Sequence, residues 1–291
     1  MKRLLAALAF VALLGAPALA QEAAEPSAWP VKFGGKRTTG SGGYKGRSGY
    51  VQVGSQWRLR AGFSDYTFDG TTTTTRTGSL RASYQGEHLS LGVNVSVTPR
   101  AEEYRNRAWG VEGGWVFLPE EEGGALEEWE LNGWWSQTRH HQSVLATPAL
   151  PVQRELIINQ HDLGVGASIT AWKATLSADA YASFYDQDYF EDLNAAARRR
   201  PRLSSAVSLV NGFPRSGASA RLDYEAASWL VPYVSYSRTN YRVAGQPVSH
   251  VLGGGAALTY KAVGVEVGYE KVRQQGAYDT SYLSLGGSLR F

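Results

Sequence analysis

The residues best placed to do chemistry are a His-x-Ser triplet, His141-Gln142-Ser143, with Asn159 further along the chain. An imidazole beside a hydroxyl can take its proton for acyl transfer when a third group fixes the ring. Such a triplet also arises easily by chance, and this one sits just past the end of an alternating segment. A second cluster lies at 186–215, where Asp186, Asp188, Glu191 and Asp192 precede Arg198, Arg199, Arg200 and Arg202. The acids could hold a divalent cation through oxygen ligands, and the arginines could grip phosphates. The acidic spacing matches no EF-hand loop, so no metal is assigned, and a solvated loop explains the same residues. His88, His161 and His250 are dispersed and converge on no site. Gly253, Gly254 and Gly255 follow no strand-to-helix pattern that would cradle a phosphate.

The elements that must carry these groups are strands. Strand side chains alternate between two faces. Leu89, Leu91, Val93, Val95 and Val97 stand opposite Ser90, Gly92, Asn94, Ser96 and Thr98. The same alternation recurs from Val51 through Val53, Trp57, Leu59, Ala61 and Phe63, read as one first strand. It returns at Leu80–Tyr84, Trp109–Phe117, Trp129–Trp135, Leu163–Ile169, Trp172–Phe184, Ala218–Tyr224, Trp229–Arg242, Leu252–Tyr260 and Val263–Tyr269. Composition agrees: 33 Gly, 16 Tyr and 9 Trp with one Met suit a β-rich chain.

Ahead of the strands, Lys2 and Arg3 precede an apolar run at 4–14 and then Ala18-Leu19-Ala20, the pattern of a secretory signal peptide over residues 1–20. That run is too short for a helix crossing a ~30 Å hydrocarbon core. Residues 21–49, rich in Ala, Gly, Ser and Pro, read as a flexible periplasmic leader, and 50–291 as the folded domain. Cleavage would leave 27 Lys plus Arg against 26 Asp plus Glu. A surplus that small would not drive nucleic-acid binding. With no Cys, the chain has neither disulfides nor a thiolate metal site.

The closing segment is Ser-Tyr-Leu-Ser-Leu-Gly-Gly-Ser-Leu-Arg-Phe, with Leu283, Leu285, Leu289 and Phe291 on one face. It resembles the last strand of bacterial outer-membrane β-barrels, whose terminal Phe is read by the barrel assembly machinery. That resemblance implies a bacterial outer-membrane location, contact with membrane lipid and lipopolysaccharide, and Phe291, Leu289, Leu285 and Leu283 as an assembly signal.

Connection lengths fit the same architecture. Tight links at 85–88, 171, 227–228 and 261 alternate with looser ones at 139–157, 186–215 and 243–247, the short-turn, long-loop asymmetry of such barrels. Large aromatics gather beside the tight links, among them Trp57, Trp115, Trp129, Trp172, Trp229, Tyr260 and Phe291, as a girdle at one membrane interface would require. The segment at 118–126, with Glu120, Glu121 and Glu122, is the one longer periplasmic connection. The expectation is an all-β, antiparallel up-and-down transmembrane barrel of twelve strands with both ends periplasmic. A fourteen-strand alternative treats Gly54-Ser55 as a hairpin and Leu203–Asn211 as a further strand.

If the apolar face meets lipid, the polar face lines a lumen. There the pattern places Arg58, Arg60, Arg81, Lys173, Arg221 and Arg290, with Glu112, Glu130, Asp162, Asp179, Asp223, Glu225, Glu266 and Glu270. Closing the last strand on the first would make Arg290, Arg58, Arg60 and Arg81 neighbours facing an acidic wall. Such a field would orient small polar or charged solutes in a narrow porin-like channel. A closed interior crosslinked by ion pairs, in a structural or surface-interaction barrel, accounts for the same charges. The His141, Ser143 and Asn159 set is similar to outer-membrane phospholipase A, but the Asn-Gly-Arg continuation of that family is missing, so an enzyme is not expected. No cofactor is implied.

Overall fold

The computed structural model describes residues 29–67, 74–101, 104–119, 126–145, 153–186, 213–242, 246–276 and 278–291. Among these, fourteen strands close into one antiparallel barrel, each pairing with its neighbour in sequence and the last pairing with the first. They are β1 (Val31–Gly40), β2 (Lys45–Val53), β3 (Trp57–Thr67), β4 (Thr75–Gln85), β5 (Leu89–Ala101), β6 (Tyr104–Phe117) and β7 (Leu126–Leu145). The circuit continues with β8 (Gln153–Ala171), β9 (Ala174–Tyr185), β10 (Pro214–Tyr224), β11 (Leu230–Tyr241), β12 (Ser249–Tyr260), β13 (Val263–Gln274) and β14 (Thr280–Arg290). A single 3₁₀ turn, Ser41–Gly43, joins β1 to β2.

The twelve-strand expectation is therefore corrected to fourteen. Both extra strands come from the N-terminal side: β1 lies inside the stretch read as a flexible leader, and β2 begins there. Their outward positions explain the misreading. Along β1 these are Val31, Phe33, Gly35, Arg37 and Thr39, and along β2 Lys45, Arg47, Gly49, Val51 and Val53, so the apolar alternation lasts only two residues in each. Val51 and Val53 do not continue into Trp57, because Gly54 turns the chain between β2 and β3 at φ 102. A side chain at Gly54 would collide with the Trp57 carbonyl, so only glycine fits there. The Gly54-Ser55 hairpin of the fourteen-strand alternative is thus present, whereas Leu203–Asn211 and the signal-peptide residues lie outside the described residues. Since both added strands precede Gly54, the sidedness of every later turn is unchanged.

The outside is apolar. Leu59, Phe63, Val93, Val165, Leu176, Val234, Leu252 and Leu283 are each more than 40% exposed. A closed barrel leaves no edge to pair and no second layer to cover this face, so hydrocarbon is its fitting solvent. At the tight-turn end the aromatics touch one another: Trp57 and Tyr84 at 4.9 Å between centroids, Phe117 stacked on Trp129 at 3.8 Å. The seam carries Phe33 edge-on to Phe291 at 6.1 Å. One of the two-residue turns, between β8 and β9, holds Trp172 and Lys173 at φ 48 and 66, the positive-φ pair of a tight hairpin.

Candidate functional site in the barrel interior

Facing inward, one ladder row runs Arg290, Lys32, Gln52, Arg60, Arg81 and Asn94 through successive Cα partners on β14, β1, β2, β3, β4 and β5. Four of its six members are cationic. The expected contact between Arg290 and the arginines of β3 is corrected by this register: two strands intervene, and Lys32 is the residue beside Arg290. Lys36 shares the inward face of β1, and Tyr50 that of β2, where the Arg60 guanidinium lies 3.8 Å above the Tyr50 ring. Sequence reading missed Lys32 and Lys36 because β1 was taken for a flexible leader, and Tyr50 because the first strand was begun at Val51. The signal that could have found them is Tyr50-Val51-Gln52-Val53 running into Gly54.

The acids occupy the rest of the inner wall, starting directly beside this row. Arg81 forms an ion pair with Glu112, reaching across β5 at Gly92. Arg58, Arg60, Arg81, Glu112, Glu130 and Trp134 line a cavity of about 470 Å³ on the inner wall. Further round, Arg221 is clamped by Asp223 at 2.6 Å and sits 3.8 Å over Tyr233, whose hydroxyl donates to Glu266 at 3.3 Å. Asp179 accepts from Ser219 at 2.5 Å. Glu270 follows Glu266 along the inward face of β13. Two expected members lie off the strands: Lys173 occupies the β8–β9 turn, and Glu225 lies just past the end of β10, its N–H donating to the Lys173 carbonyl at 2.7 Å.

Asp162 is held by three hydrogen bonds. It accepts from Ser183 at 2.6 Å, Gln160 at 2.7 Å and Ser136 at 3.3 Å. The chain of contacts continues from the Gln160 oxygen to His140 Nε2 at 3.1 Å and from His140 Nδ1 to the Tyr104 hydroxyl at 2.8 Å, where Asn106 donates at 2.8 Å. Tyr104, His140, Gln160 and Ser183 are all buried, together with Leu156, Ile158 and Phe213. One flank of the interior, toward the loop end, is therefore packed and polar at once.

Several large inward rings lie against the wall instead of across it. A Cβ on Gly164 would strike the Trp134 indole, and one on Gly217 would strike the Tyr181 ring. The two rings are 6.0 Å apart. Glycine on the neighbouring strand gives each ring a shelf.

Of the His141, Ser143 and Asn159 set, the register does not bring Asn159 beside His141, and the Ser143 side chain lies outside the described residues. Asn159 is the Cα partner of Arg139 rather than of His141, and its backbone and side-chain N–H groups are taken by Asp186 at 2.9 and 2.5 Å. His141 Nδ1 lies 3.4 Å from Arg105 Nη2. Among the described residues, no group of three or more His, Asp or Glu could hold a metal ion. Most of the 186–215 cluster lies outside the described residues.

No family model matches the chain, and neither does any curated protein. Solved structures do. The CymD monoaromatic hydrocarbon channel is similar at a TM-score of 0.52 and 11% identity, covering 91% of this chain and 88% of that one. The fold is that of a bacterial outer-membrane β-barrel. Lower TM-scores are found for the KdgM porin in complex with disordered oligogalacturonate, 0.45 at 6% identity over 89% of this chain and 99% of that, and for Pseudomonas aeruginosa OccK5 (OpdH), 0.42 at 11% identity over 90% and 97%. Identities this low establish the barrel's architecture and leave its cargo to the chemistry of its own interior.

Proposed function

We propose that this outer-membrane barrel is a narrow porin-like channel for small polar or charged solutes. The observation that carries the reading is the gathering of charge around the 470 Å³ cavity, with the Arg58, Arg60 and Arg81 side chains beside Glu112 and Glu130. Inside a low-dielectric cylinder, fixed charges act on a passing solute more strongly than the same charges on an open surface. An anionic group would track the Lys32, Arg60 and Arg81 side, and a cationic group the acidic side. Rings flattened onto glycine shelves support an open bore, since Trp134 and Tyr181 take up wall rather than lumen.

A second reading, a non-conducting structural barrel, is favoured by one specific observation: the packed flank at Tyr104, His140, Ile158 and Phe213, where Phe213 has no exposed surface and Ile158 only 2%. The two separate by recording current across a planar bilayer containing the purified barrel. Discrete conductance steps support the channel. Their absence, with barrel folding verified, supports the structural reading.

A further inference from the structure

The outer surface carries a cationic row that the channel reading does not use. Arg238, His250 and Arg273 are successive Cα partners across β11, β12 and β13. They continue the outward face on which Tyr236, Leu252 and Tyr269 are exposed. His250 lies ten residues from Tyr260 and Arg273 ten from Val263, both at the tight-turn end. At ~3.3 Å per residue along a strand tilted ~40°, that distance rises roughly 25 Å, the height of the lipid-facing band. The row therefore stands where hydrocarbon gives way to headgroups in the outer leaflet.

A cavity of about 570 Å³ opens beside it, lined by Arg238, His250, Arg273, Gln246, Gln275 and Asp279. Asp279 accepts from Lys271 at 2.8 Å and lies 3.5 Å from Arg273. Among the described residues, Arg238 meets the Asn240 side-chain oxygen at 3.4 Å, and His250 Nδ1 is satisfied by the Tyr236 hydroxyl at 2.8 Å. Two arginines and one carboxylate thus line the cavity, and that carboxylate is already paired with Lys271. In the same cavity wall, Gln246 Oε1 is buried without a hydrogen-bond partner. A buried acceptor left unpaired is costly, and a donor delivered by a ligand would satisfy it.

We propose that this cavity binds the phosphorylated glucosamine headgroup of lipopolysaccharide. Arg238 and Arg273 take a phosphate through charge-assisted hydrogen bonds, a sugar hydroxyl or amide N–H donates to Gln246 Oε1, and acyl chains lie along Tyr236, Leu252, Tyr269 and Leu283. Surplus positive charge selects an anion, the orphan acceptor selects a headgroup carrying donors, and the apolar surface directly below selects a lipid over a free solute. The proposal rests on the membrane placement of the barrel and is independent of whether the lumen conducts.

The test is native mass spectrometry of the purified full-length barrel in detergent micelles, titrated with bis-phosphorylated lipid A, fully dephosphorylated lipid A or phosphatidylglycerol. Lipid A is expected to bind at least about tenfold tighter than either comparison lipid, and the Arg238→Gln, Arg273→Gln double variant to lose that advantage. Arg58→Gln, which removes a cation from the interior, should leave lipid A binding unchanged. Equal binding of the dephosphorylated lipid overturns the phosphate assignment, and equal binding of phosphatidylglycerol overturns the choice of lipopolysaccharide. Retention of lipid A by the double variant overturns the site. Heat-shifted gel migration reports whether the variant has folded. If it has not, the comparison of lipid A with its dephosphorylated form on the unaltered protein still decides.

Discussion

Arg81 on β4 and Glu112 on β6 form an ion pair across the intervening strand, and they meet over Gly92 of β5, where a Cβ would collide with the Glu112 carboxylate. The glycine is what lets two residues separated by a whole strand touch. Gly92→Val is expected to push the carboxylate away from Arg81, leaving the guanidinium free beside Arg60. Ion selectivity should then move toward anions, read as a change in reversal potential across a salt gradient. An unmoved potential would mean that this pair does not shape the field.

The closure contact is a second place to press. Phe33 packs edge-on against Phe291, and the Val31 and Phe291 backbones exchange hydrogen bonds at 3.1 and 2.9 Å. Aromatic pairs of this geometry contribute about 0.5–1.5 kcal/mol beyond burial. Phe33→Ala and Phe291→Ala should therefore each destabilise the barrel, with a coupling of about 1 kcal/mol between them in a double-mutant cycle of urea unfolding. Strict additivity would show that the seam is held by backbone pairing alone. Deleting residues 31–40 removes β1 altogether and is expected to abolish the heat-modifiable gel band of a closed barrel.

How much of this was legible in the sequence follows from the physics of alternation. Leu89–Val97 reads unambiguously because one face is wholly apolar, and the same holds for Val263–Tyr269 of β13 and, but for Gly287, for Leu283–Leu289 of β14. β1 and the first part of β2 did not read, since Arg37, Arg47 and two glycines occupy outward positions where the pattern demands apolar side chains. Composition made them look like a leader, and only pairing with β14 reveals them as wall. Of the interior residues, Arg58, Arg60, Arg81, Glu112 and Glu130 do come together around one cavity. Their neighbours Lys32 and Tyr50 were out of reach once the strand count was short. Parity names a face but not a register, which is why Arg290 was paired in expectation with the wrong strand.

Lipid exposure makes its own demand. Val165 is 63% exposed on the outward face of β8, six residues from the tight turn and so near mid-height. In water Val165→Arg would be close to harmless. Facing hydrocarbon it is expected to cost about 2–4 kcal/mol, measured by denaturant unfolding from lipid vesicles. A cost near zero would contradict the placement of this face.

Outside the membrane-spanning strands, the Asp279 carboxyl is held below its ordinary range, chiefly by the hydrogen bond from Lys271, with Lys271 and Arg273 adding charge attraction. A depressed folded-state value means the stabilisation is fully present above the unfolded value near 4 and is lost as pH falls through the lower folded value. Wild type should therefore melt slightly above Asp279→Asn at neutral pH, and the difference should close only under strongly acidic conditions. Because the carboxylate is largely open to solvent, the effect is small and should shrink further in high salt. A difference that persists unchanged into strong acid would remove the ion cluster as its cause.

The channel itself is tested most directly by single-channel recording of the purified barrel in a planar bilayer, before and after Arg58→Glu with Arg60→Glu. The account predicts discrete conductance steps whose reversal potential in a salt gradient shifts toward cation preference in the variant. A correctly folded barrel that passes no current, or one whose selectivity ignores the exchange of two cations for two anions on its inner wall, would contradict it.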